Sequence, residues 1–249
     1  MSITDSFDAD RGIIEPREAV EIPADFPDTL LACFTEKFVA AITEKTGAEQ
    51  FDHAFAGRGI PILRFSRGGR TVGFYQSPVG GAASAAILEE AIAKGAKKVL
   101  FFGSCGSLDA AHTAGKLLIP TAAYRDEGAS YHYLPAGNYI AIGTADRLAA
   151  IFDRMNVPYL KTKTWTTDAF YRETQRNMLS RKEEGCAAVE MECASVMAVG
   201  KFRGVEVYQF LYTADCLDGE GWDRRILGGM PEDLRDAIAE IAVETAIRL

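Results

Sequence analysis

The chain has 249 residues, a formal net charge of −8 and 48% hydrophobic residues. This length suits one large domain or two small ones, and it buries enough apolar surface to fold without a metal or disulfide staple. The acidic balance and the lack of a basic cluster argue against a nucleic-acid binder, so we expect a small-molecule ligand.

The cysteines, histidines and apolar runs indicate which kinds of site and which location to expect. The five cysteines are scattered without a CxxC pair, and there are three histidines. We therefore expect no disulfide framework and no zinc site. The first residues form no apolar signal segment, and no apolar run approaches roughly 18 residues. The sequence predicts a cytoplasmic protein that does not enter a membrane.

The first half of the chain mixes periodicities. Residues 1–27 carry three prolines and predict an extended arm, and residues 28–45 show helical periodicity. Strands are predicted at 60–65 and 71–77, with a glycine turn at 68–69 between them. A helix over 82–94 ends at Gly95, and residues 97–103 predict a buried strand that ends in a small-residue turn, SCGS.

The second half continues the alternation. The predicted elements are a strand at 116–124, a helix at 144–155, an extended segment at 157–165, a strand at 186–192 that runs into a helix reaching residue 202, a strand at 204–215 and a helix at 231–249. Strands separated by helices are typical of a layered α/β domain. No repeat or long linker interrupts the pattern, so we expect a single domain over residues 1–249.

Four predicted strand ends carry residues suited to ligand binding, which in such sheets occurs beyond the carboxyl ends of strands. They are Gly80-Gly81, Gly103-Ser104-Cys105-Gly106, Glu190-Met191-Glu192 and Thr213-Ala214-Asp215. A helix N-terminus after Gly81 would offer N–H donors to an anion, although an ordinary tight turn has the same signature.

The carboxylates at these ends each allow two interpretations. Glu190 and Glu192 are two residues apart, so on a strand they would share a face and could accept hydrogen bonds from a sugar diol. The alternative is that they are acidic residues at a helix N-terminus. Asp215 could act as a shielded proton donor, or it could cap a turn.

Five ordered segments together resemble the nucleoside phosphorylase/nucleosidase family, the purine and uridine phosphorylase superfamily. AVEMECASV (188–196) is similar to its V-E-M-E-[AST]-A signature, and FFGSCGSLD (101–109) is similar to its G-[ST]-x-G-x-[LI] segment. The other three are SPVGGAASAAILEE (77–90), GKLLIPTAAYRDEGASYHYLP (115–135) and TWTTDAFYRETQR (164–176). The resemblance covers roughly residues 68–217 and implies a three-layer α/β/α fold around a twisted mixed sheet.

The resemblance also implies roles for individual residues. Glu192 would bind the ribose hydroxyls, with Met191 packing on the sugar, Glu190 close by and His132 near the 5′ end unless it is a buried structural histidine. The base would contact Phe170, Gln175, Arg176 and Asp215, and Asp215 would protonate a departing purine. Gly81 and Ser104 would hold phosphate or the attacking water.

The sequence departs from the family where phosphate would bind. The family's G-D-P-x-R loop is absent, and Phe101 and Phe102 stand where an arginine is common. Arginine pairs with phosphate bidentately, so its loss weakens the site. Arg58 or Arg64 could compensate, since the family borrows an arginine from a neighbouring subunit near this point; Arg125 is a further candidate, with a structural salt bridge as its alternative.

The family therefore implies cleavage of a nucleoside's N-glycosidic bond, with phosphorolysis to free base and ribose 1-phosphate slightly favoured over hydrolysis. The resemblance implies that neither a cofactor nor a metal is needed, and inorganic phosphate would be a co-substrate only in the first case. Asp215 favours a purine, whereas Gln175 and Arg176 favour a pyrimidine. We also expect a homo-oligomer, a dimer or hexamer, with its site near a subunit boundary. A non-catalytic nucleoside-binding protein is less consistent with the retained Asp215, and a dinucleotide-binding domain lacks its GxGxxG motif.

Overall fold

The computed structural model describes residues 2–219 and 221–249, except for the side chains of residues 57 and 58. Ten strands lie within the described ranges. They are β1 (Thr29–Cys33), β2 (Glu49–Ala54), β3 (Ile60–Arg67), β4 (Arg70–Gln76), β5 (Lys98–Ser107), β6 (Leu117–Asp126), β7 (Tyr139–Ala141), β8 (Tyr159–Thr167), β9 (Cys186–Glu190) and β10 (Glu206–Cys216).

The helices of the described residues alternate with these strands. They are α1 (Pro16–Ala19), α2 (Glu36–Thr46), α3 (Ala56–Gly59), α4 (Gly81–Lys94), α5 (Ala110–Thr113), α6 (Ala145–Met155), α7 (Gln175–Glu183), α8 (Cys193–Arg203) and α9 (Glu232–Arg248). Short 3-10 turns occur at Ile3–Asp5, Ala129–His132 and Phe170–Arg172.

The strands form one mixed sheet in the order β10-β6-β8-β9-β5-β1-β4-β3-β2. Because β10 also pairs with β5, the strands β5, β10, β6, β8 and β9 close into a ring, and the remaining strands extend from it. Helices α4 and α8 pack against each other on one face, while α9 packs with α2 and α6 on the other. The predicted three-layer α/β/α fold is confirmed.

The prediction of one helix over 28–45 was wrong for its first part, which forms strand β1. All five residues of β1 are buried, because the strand lies between β4 and β5 in the middle of the sheet. A strand buried on both faces is apolar throughout, and periodicity alone cannot distinguish it from a buried helix segment. The helical part of the prediction corresponds to α2.

The predicted SCGS turn was also wrong, because β5 continues to Ser107 through pairing with β10 and β9. Its glycines are explained by close neighbours instead. A Cβ on Gly103 would lie 2.6 Å from the Phe34 ring, and one on Gly106 would lie 2.6 Å from Leu217.

Strands β2 and β7 and helices α3, α5 and α7 were not predicted, and the N-terminal arm contains the short helix α1. The other predicted elements lie within a few residues of the observed ones, and α8 reaches Arg203. Parallel pairing sets Asp215 of β10 opposite Gly106 of β5, and antiparallel pairing sets Val189 of β9 opposite the same glycine. Three of the predicted strand ends therefore meet at one place.

Candidate active site

A cavity of about 750 Å³ opens where these strand ends meet. Its walls come from the end of β5, the junction of β9 and α8, the end of β10 with the loop that follows, and the segment around α7. The described residues that line it are Phe34, Val79, Ser104, Cys105, Gly106, Phe170, Tyr171, Glu173, Gln175, Met178, Val189, Glu190, Met191, Glu192, Asp215, Leu217, Gly219, Gly221, Trp222 and Leu227. This volume is in the range of small-molecule binding sites.

Glu190 is bound tightly by the polypeptide itself. Its Oε2 accepts the backbone N–H groups of Glu192 at 2.8 Å and Cys193 at 2.6 Å, and its Oε1 accepts the Thr166 hydroxyl at 2.6 Å. These contacts satisfy donors at the start of α8, which otherwise have no intrahelical partner. The interpretation of an acidic residue at a helix N-terminus thus describes Glu190, although the residue also lines the cavity.

Glu192 is placed differently. The strand ends at Glu190, so the predicted shared face does not apply, and Glu192 accepts the Gly80 N–H at 2.6 Å through Oε1. Its side chain is buried against the cavity, and its Oε2 makes no hydrogen bond among the described residues. Burial and the adjacent Glu190 carboxylate raise the pKa of Glu192 to about 8. The group can therefore accept or donate a hydrogen bond near neutral pH.

Asp215 is half-buried at the end of β10 and lines the cavity. Its Oδ2 accepts the indole N–H of Trp222 at 2.7 Å. The loop that carries Trp222 folds back on β10 through paired backbone hydrogen bonds between Cys216 and Asp223. Because an indole N–H can only donate, Oδ2 of Asp215 is the acceptor in this contact.

Glu173 was missed by the sequence analysis. It lies just before α7, lines the cavity and makes no side-chain hydrogen bond to the described residues. Burial, followed by the charge of Asp215, raises the pKa of Glu173 to about 7. The residue stands within a segment that resembles the family, but Asp215 is 42 positions further along the chain, so only the fold brings both residues to the cavity.

The residues predicted to contact the base divide into two groups. Phe170 and Gln175 line the cavity, with Tyr171 and Met178 beside them. Arg176 is exposed on α7 and is not part of the described lining. The structure thus brings Phe170 and Gln175 to the cavity with Asp215, but not Arg176.

The residues predicted to bind phosphate are also dispersed. Ser104 lines the cavity, and Gly81 begins α4 directly after the Gly80 amide that binds Glu192. Arg64 lies on β3, where its guanidinium pairs with Asp25 and stacks over the Phe51 ring 4.5 Å away. The side chain of Arg58 lies outside the described residues.

Neither the Phe101-Phe102 position nor Arg125 offers a cation to the cavity. Phe101 and Phe102 are fully buried in the core, and Phe102 stacks on Phe210 with ring centroids 5.3 Å apart. Arg125 is buried and donates to the Ser130 hydroxyl at 2.8 Å and the Pro135 carbonyl at 2.6 Å. Arg125 therefore has a structural role, as one of the two interpretations predicted. Its partners are a hydroxyl and a carbonyl group, however, and not the carboxylate of a salt bridge.

His132 lies at the end of the Ala129–His132 turn, away from the described lining, and it is exposed. It is therefore not the buried structural histidine considered as its alternative role. Met191, by contrast, lines the cavity between the two glutamates.

The charged side chains that line the described part of the cavity are all acidic. Four carboxyl groups line it, those of Glu173, Glu190, Glu192 and Asp215, whereas no lysine or arginine belongs to the part of the lining that the structure describes. Carboxylates without a neighbouring cation disfavour a bound anion and favour a developing positive charge.

The fold has known counterparts. The sequence profile of the Phosphorylase superfamily matches residues 28–248. The chain belongs to the phosphorylase superfamily. A purine nucleoside phosphorylase of Plasmodium falciparum is 33% identical over 146 residues, which is 55% of this chain and 58% of that protein. The chain spans about three fifths of the length of the curated relatives that it matches.

Several solved structures share the fold over most of their length. Purine nucleoside phosphorylase from Toxoplasma gondii in complex with immucillin-H has a TM-score of 0.75 at 16% identity, covering 89% of this chain and 90% of that one. AMP nucleosidase from Bacteroides thetaiotaomicron has a TM-score of 0.68 at 22% identity, covering 90% of this chain and 89% of that one. At these identities the likeness establishes the fold. Among the described helices, none combines the length and apolar character needed to cross a bilayer.

Proposed function

We propose that the protein cleaves the N-glycosidic bond of a purine nucleoside. The observation that carries this proposal is one cavity lined by Glu192, Phe170 and Asp215, which supplies a hydrogen-bonding carboxyl for ribose, an aromatic ring for the base and a carboxyl for the leaving group. The similarity to purine nucleoside phosphorylases supports it. The exposed position of Arg176, outside the described lining, favours a purine over a pyrimidine.

The chemistry follows from the charges of the site. Breaking the bond from C1′ to the base leaves positive charge on the ribose and negative charge on the base. Carboxylates around the sugar stabilise the first, and a proton from Asp215 neutralises the second. Glu192 binds the ribose hydroxyls, Met191 packs on the sugar, and Glu190 fixes the start of α8 and with it the position of Glu192.

The described cavity favours water as the acceptor of the ribosyl group. Phosphate is an anion, and the described lining offers it four carboxyl groups and no cationic side chain. Water needs no cation to bind. On this proposal the products are free base and ribose.

Phosphorolysis is the second candidate, with inorganic phosphate as co-substrate and ribose 1-phosphate as product. Ser104 in the cavity and the names of the phosphorylase relatives favour it. It needs a cation from Arg58 or from a neighbouring subunit.

A panel of purine and pyrimidine nucleosides, incubated with and without phosphate, tests both candidates. Free base, ribose and ribose 1-phosphate are measured by chromatography. Release of a purine and ribose without phosphate supports hydrolysis, whereas release that requires phosphate and yields ribose 1-phosphate establishes phosphorolysis. Cleavage of pyrimidine nucleosides alone would contradict the assigned base.

We also propose that the protein forms a homo-oligomer, a dimer or hexamer, with the cavity near a subunit boundary. The cavity rim exposes large apolar side chains, with Val79 62%, Tyr171 88% and Trp222 61% exposed. Contiguous exposed apolar groups are typical of interaction surfaces. Light scattering should give a multiple of the 27.1 kDa chain mass. A fully active monomer would contradict the proposal.

A further inference from the structure

Glu127 is a buried carboxylate that lies outside the described lining of the cavity but is connected to it by hydrogen bonds. It directly follows β6, and its Oε2 accepts the Ser195 hydroxyl at 2.6 Å and the backbone N–H of Ser130 at 3.0 Å. Its Oε1 is buried and has no hydrogen-bond partner among the described residues. A buried carboxylate is costly unless its hydrogen bonds offset the lost hydration, so the two contacts of Oε2 hold Glu127 in place.

The Glu127 carboxylate is anchored from the side of β6. Arg125 donates through Nε to the Ser130 hydroxyl at 2.8 Å, and the N–H of Ser130 binds Glu127. Arg125 and Ser130 are themselves buried. Side chains locked by packing and hydrogen bonds hold the groups that they contact in a defined position.

The opposite end of this contact is the first turn of α8. Ser195 is the third residue of α8, and Glu192 is the residue that precedes the helix. Glu190 already binds the backbone of this turn through the N–H groups of Glu192 and Cys193. The contact from Ser195 to Glu127 adds a second link, which joins the turn to the end of β6.

Ser195 also determines how closely α4 approaches α8. A Cβ on Gly81, the first residue of α4, would lie 2.2 Å from Oγ of Ser195 and 3.4 Å from the Met191 carbonyl oxygen. Gly80, directly before it, donates its N–H to Oε1 of Glu192 at 2.6 Å. The position of the Ser195 hydroxyl therefore sets the position of the amide that holds Glu192.

We propose that Glu127 is a positioning residue, which acts through Ser195 to keep α4 and α8 at the separation where the Gly80 amide holds Glu192 for the ribose hydroxyls. The inference rests on the proposed function, to which it adds a residue that does not touch the substrate. Without the Glu127 carboxylate, the Ser195 hydroxyl has to turn to another acceptor beside Gly81, and the hydrogen bond from Gly80 to Glu192 loses its fixed geometry. A displacement of about 1 Å at a reacting group can lower a rate by about 10²-fold.

The test measures how strongly each variant prefers a purine nucleoside to its 2′-deoxy and 3′-deoxy analogues, each of which lacks one ribose hydroxyl. Ser195→Ala removes only the hydroxyl. It should lower kcat/KM for the nucleoside by about 10-fold and reduce the preference over the analogues by a similar factor, because a displaced carboxylate binds the hydroxyls less well. Glu127→Ala should have the same effect. The double variant should be no slower than the slower single variant, since both act through one contact.

Glu127→Gln is the conservative variant and should keep the preference for the nucleoside. Its amide oxygen can accept both hydrogen bonds of Oε2, and its amide nitrogen takes the place of Oε1. Ser107→Ala is the matched control, because Ser107 is a buried serine outside the described lining, and its hydroxyl pairs with that of Thr113 at 2.8 Å. It should keep both the rate and the preference.

Circular dichroism checks that each variant is folded, and Ser195→Ala decides the question if Glu127→Ala does not fold. Equal slowing of all three substrates by Ser195→Ala, or a loss in Glu127→Gln as large as in Glu127→Ala, would overturn the inference and leave the proposed function standing. A wild type that cleaves no purine nucleoside would overturn the proposed function itself, and the inference with it.

Discussion

Glu192 lies where the polypeptide occupies one carboxyl oxygen and leaves the other for a ligand. The Gly80 amide fixes Oε1, so the side chain is held in place before a substrate arrives. Preorganised groups of this kind contribute to catalysis because they need not be ordered during the reaction.

Replacing Glu192 with Ala should therefore abolish most base release, by a factor of about 10² or more. The chain should stay folded, since the donors of α8 are satisfied by Glu190 rather than by Glu192. Initial rates of base release, with circular dichroism of the same samples, measure this. Retained activity would show that the ribose lies elsewhere.

Asp215→Asn should slow purine cleavage by about 10²- to 10⁴-fold, because an amide cannot pass a proton to the base. The Trp222 indole can still donate to the amide oxygen, so the loop after β10 should keep its position. Steady-state kinetics on a purine nucleoside check this prediction. An unchanged rate would reduce Asp215 to a residue that only holds Trp222.

At this scale, the sequence predicted the residues that belong to contiguous motifs and missed those that depend on tertiary contacts. Glu192 and Asp215 follow strands whose ends could be located from pattern and resemblance. Trp222 carries no such signal, because its role depends on a loop that folds back on β10. The raised pKa of Glu173 comes first from burial and then from the charge of Asp215, and both depend on the fold rather than on a local pattern.

Helices α4 and α8 approach so closely beside the cavity that a glycine is required between them. A Cβ on Gly81 would lie 2.2 Å from the Ser195 hydroxyl oxygen and 3.0 Å from its Cβ. Ser195 cannot easily move, because it donates to the buried Glu127 carboxylate at 2.6 Å. The Gly80 amide that holds Glu192 thus depends on this helix contact.

Gly81→Ala should lower the free energy of unfolding by about 1–3 kcal/mol through overpacking. Adding Ser195→Gly removes the obstructing atoms, so the double variant should lose less stability than the two single losses added together. Chemical denaturation measures all three variants. Gly143→Ala is the control, since a Cβ there meets no atom within 4 Å. Strict additivity would show that the contact is not what requires the glycine.

The sequence distinguished helix from strand where one face of the element is polar, and did so poorly where both faces are buried. The amphipathic α6 was found within one residue, whereas the buried β1 was taken as helix because its apolar run has no polar alternation. The end of β5 was taken as a turn because its glycines suggested one. They are there because Phe34 and Leu217 approach the strand, which is a tertiary property.

The whole molecule closes its central strands into a ring, so that loops distant in sequence surround one acidic cavity. Such a cavity carries a cost for the empty protein, because burial disfavours the charged forms of its carboxyl groups. The pKa values of Glu192 and Glu173 rise from 4.5 to about 8 and about 7. The folded state then binds more protons than the unfolded state between about pH 4.5 and pH 8.

By linkage, the stability that these groups contribute is complete below pH 4.5 and is lost as pH rises towards 8. The ligand-free protein should therefore melt a few degrees lower at pH 8 than at pH 6. Glu192→Gln does not titrate and should show a smaller difference. Calorimetry at both pH values measures this. If the melting temperature differed between the two pH values by the same amount in the wild type and the variant, groups other than Glu192 would cause the effect.

The most direct test of the account is the time course of purine release from nucleosides by the wild type and by Glu192→Ala under identical conditions. We expect the wild type to release free purine and the variant to release almost none, with both proteins folded. Absence of release from every nucleoside by the wild type, or equal release by the two proteins, would contradict the claim that this cavity cleaves the N-glycosidic bond.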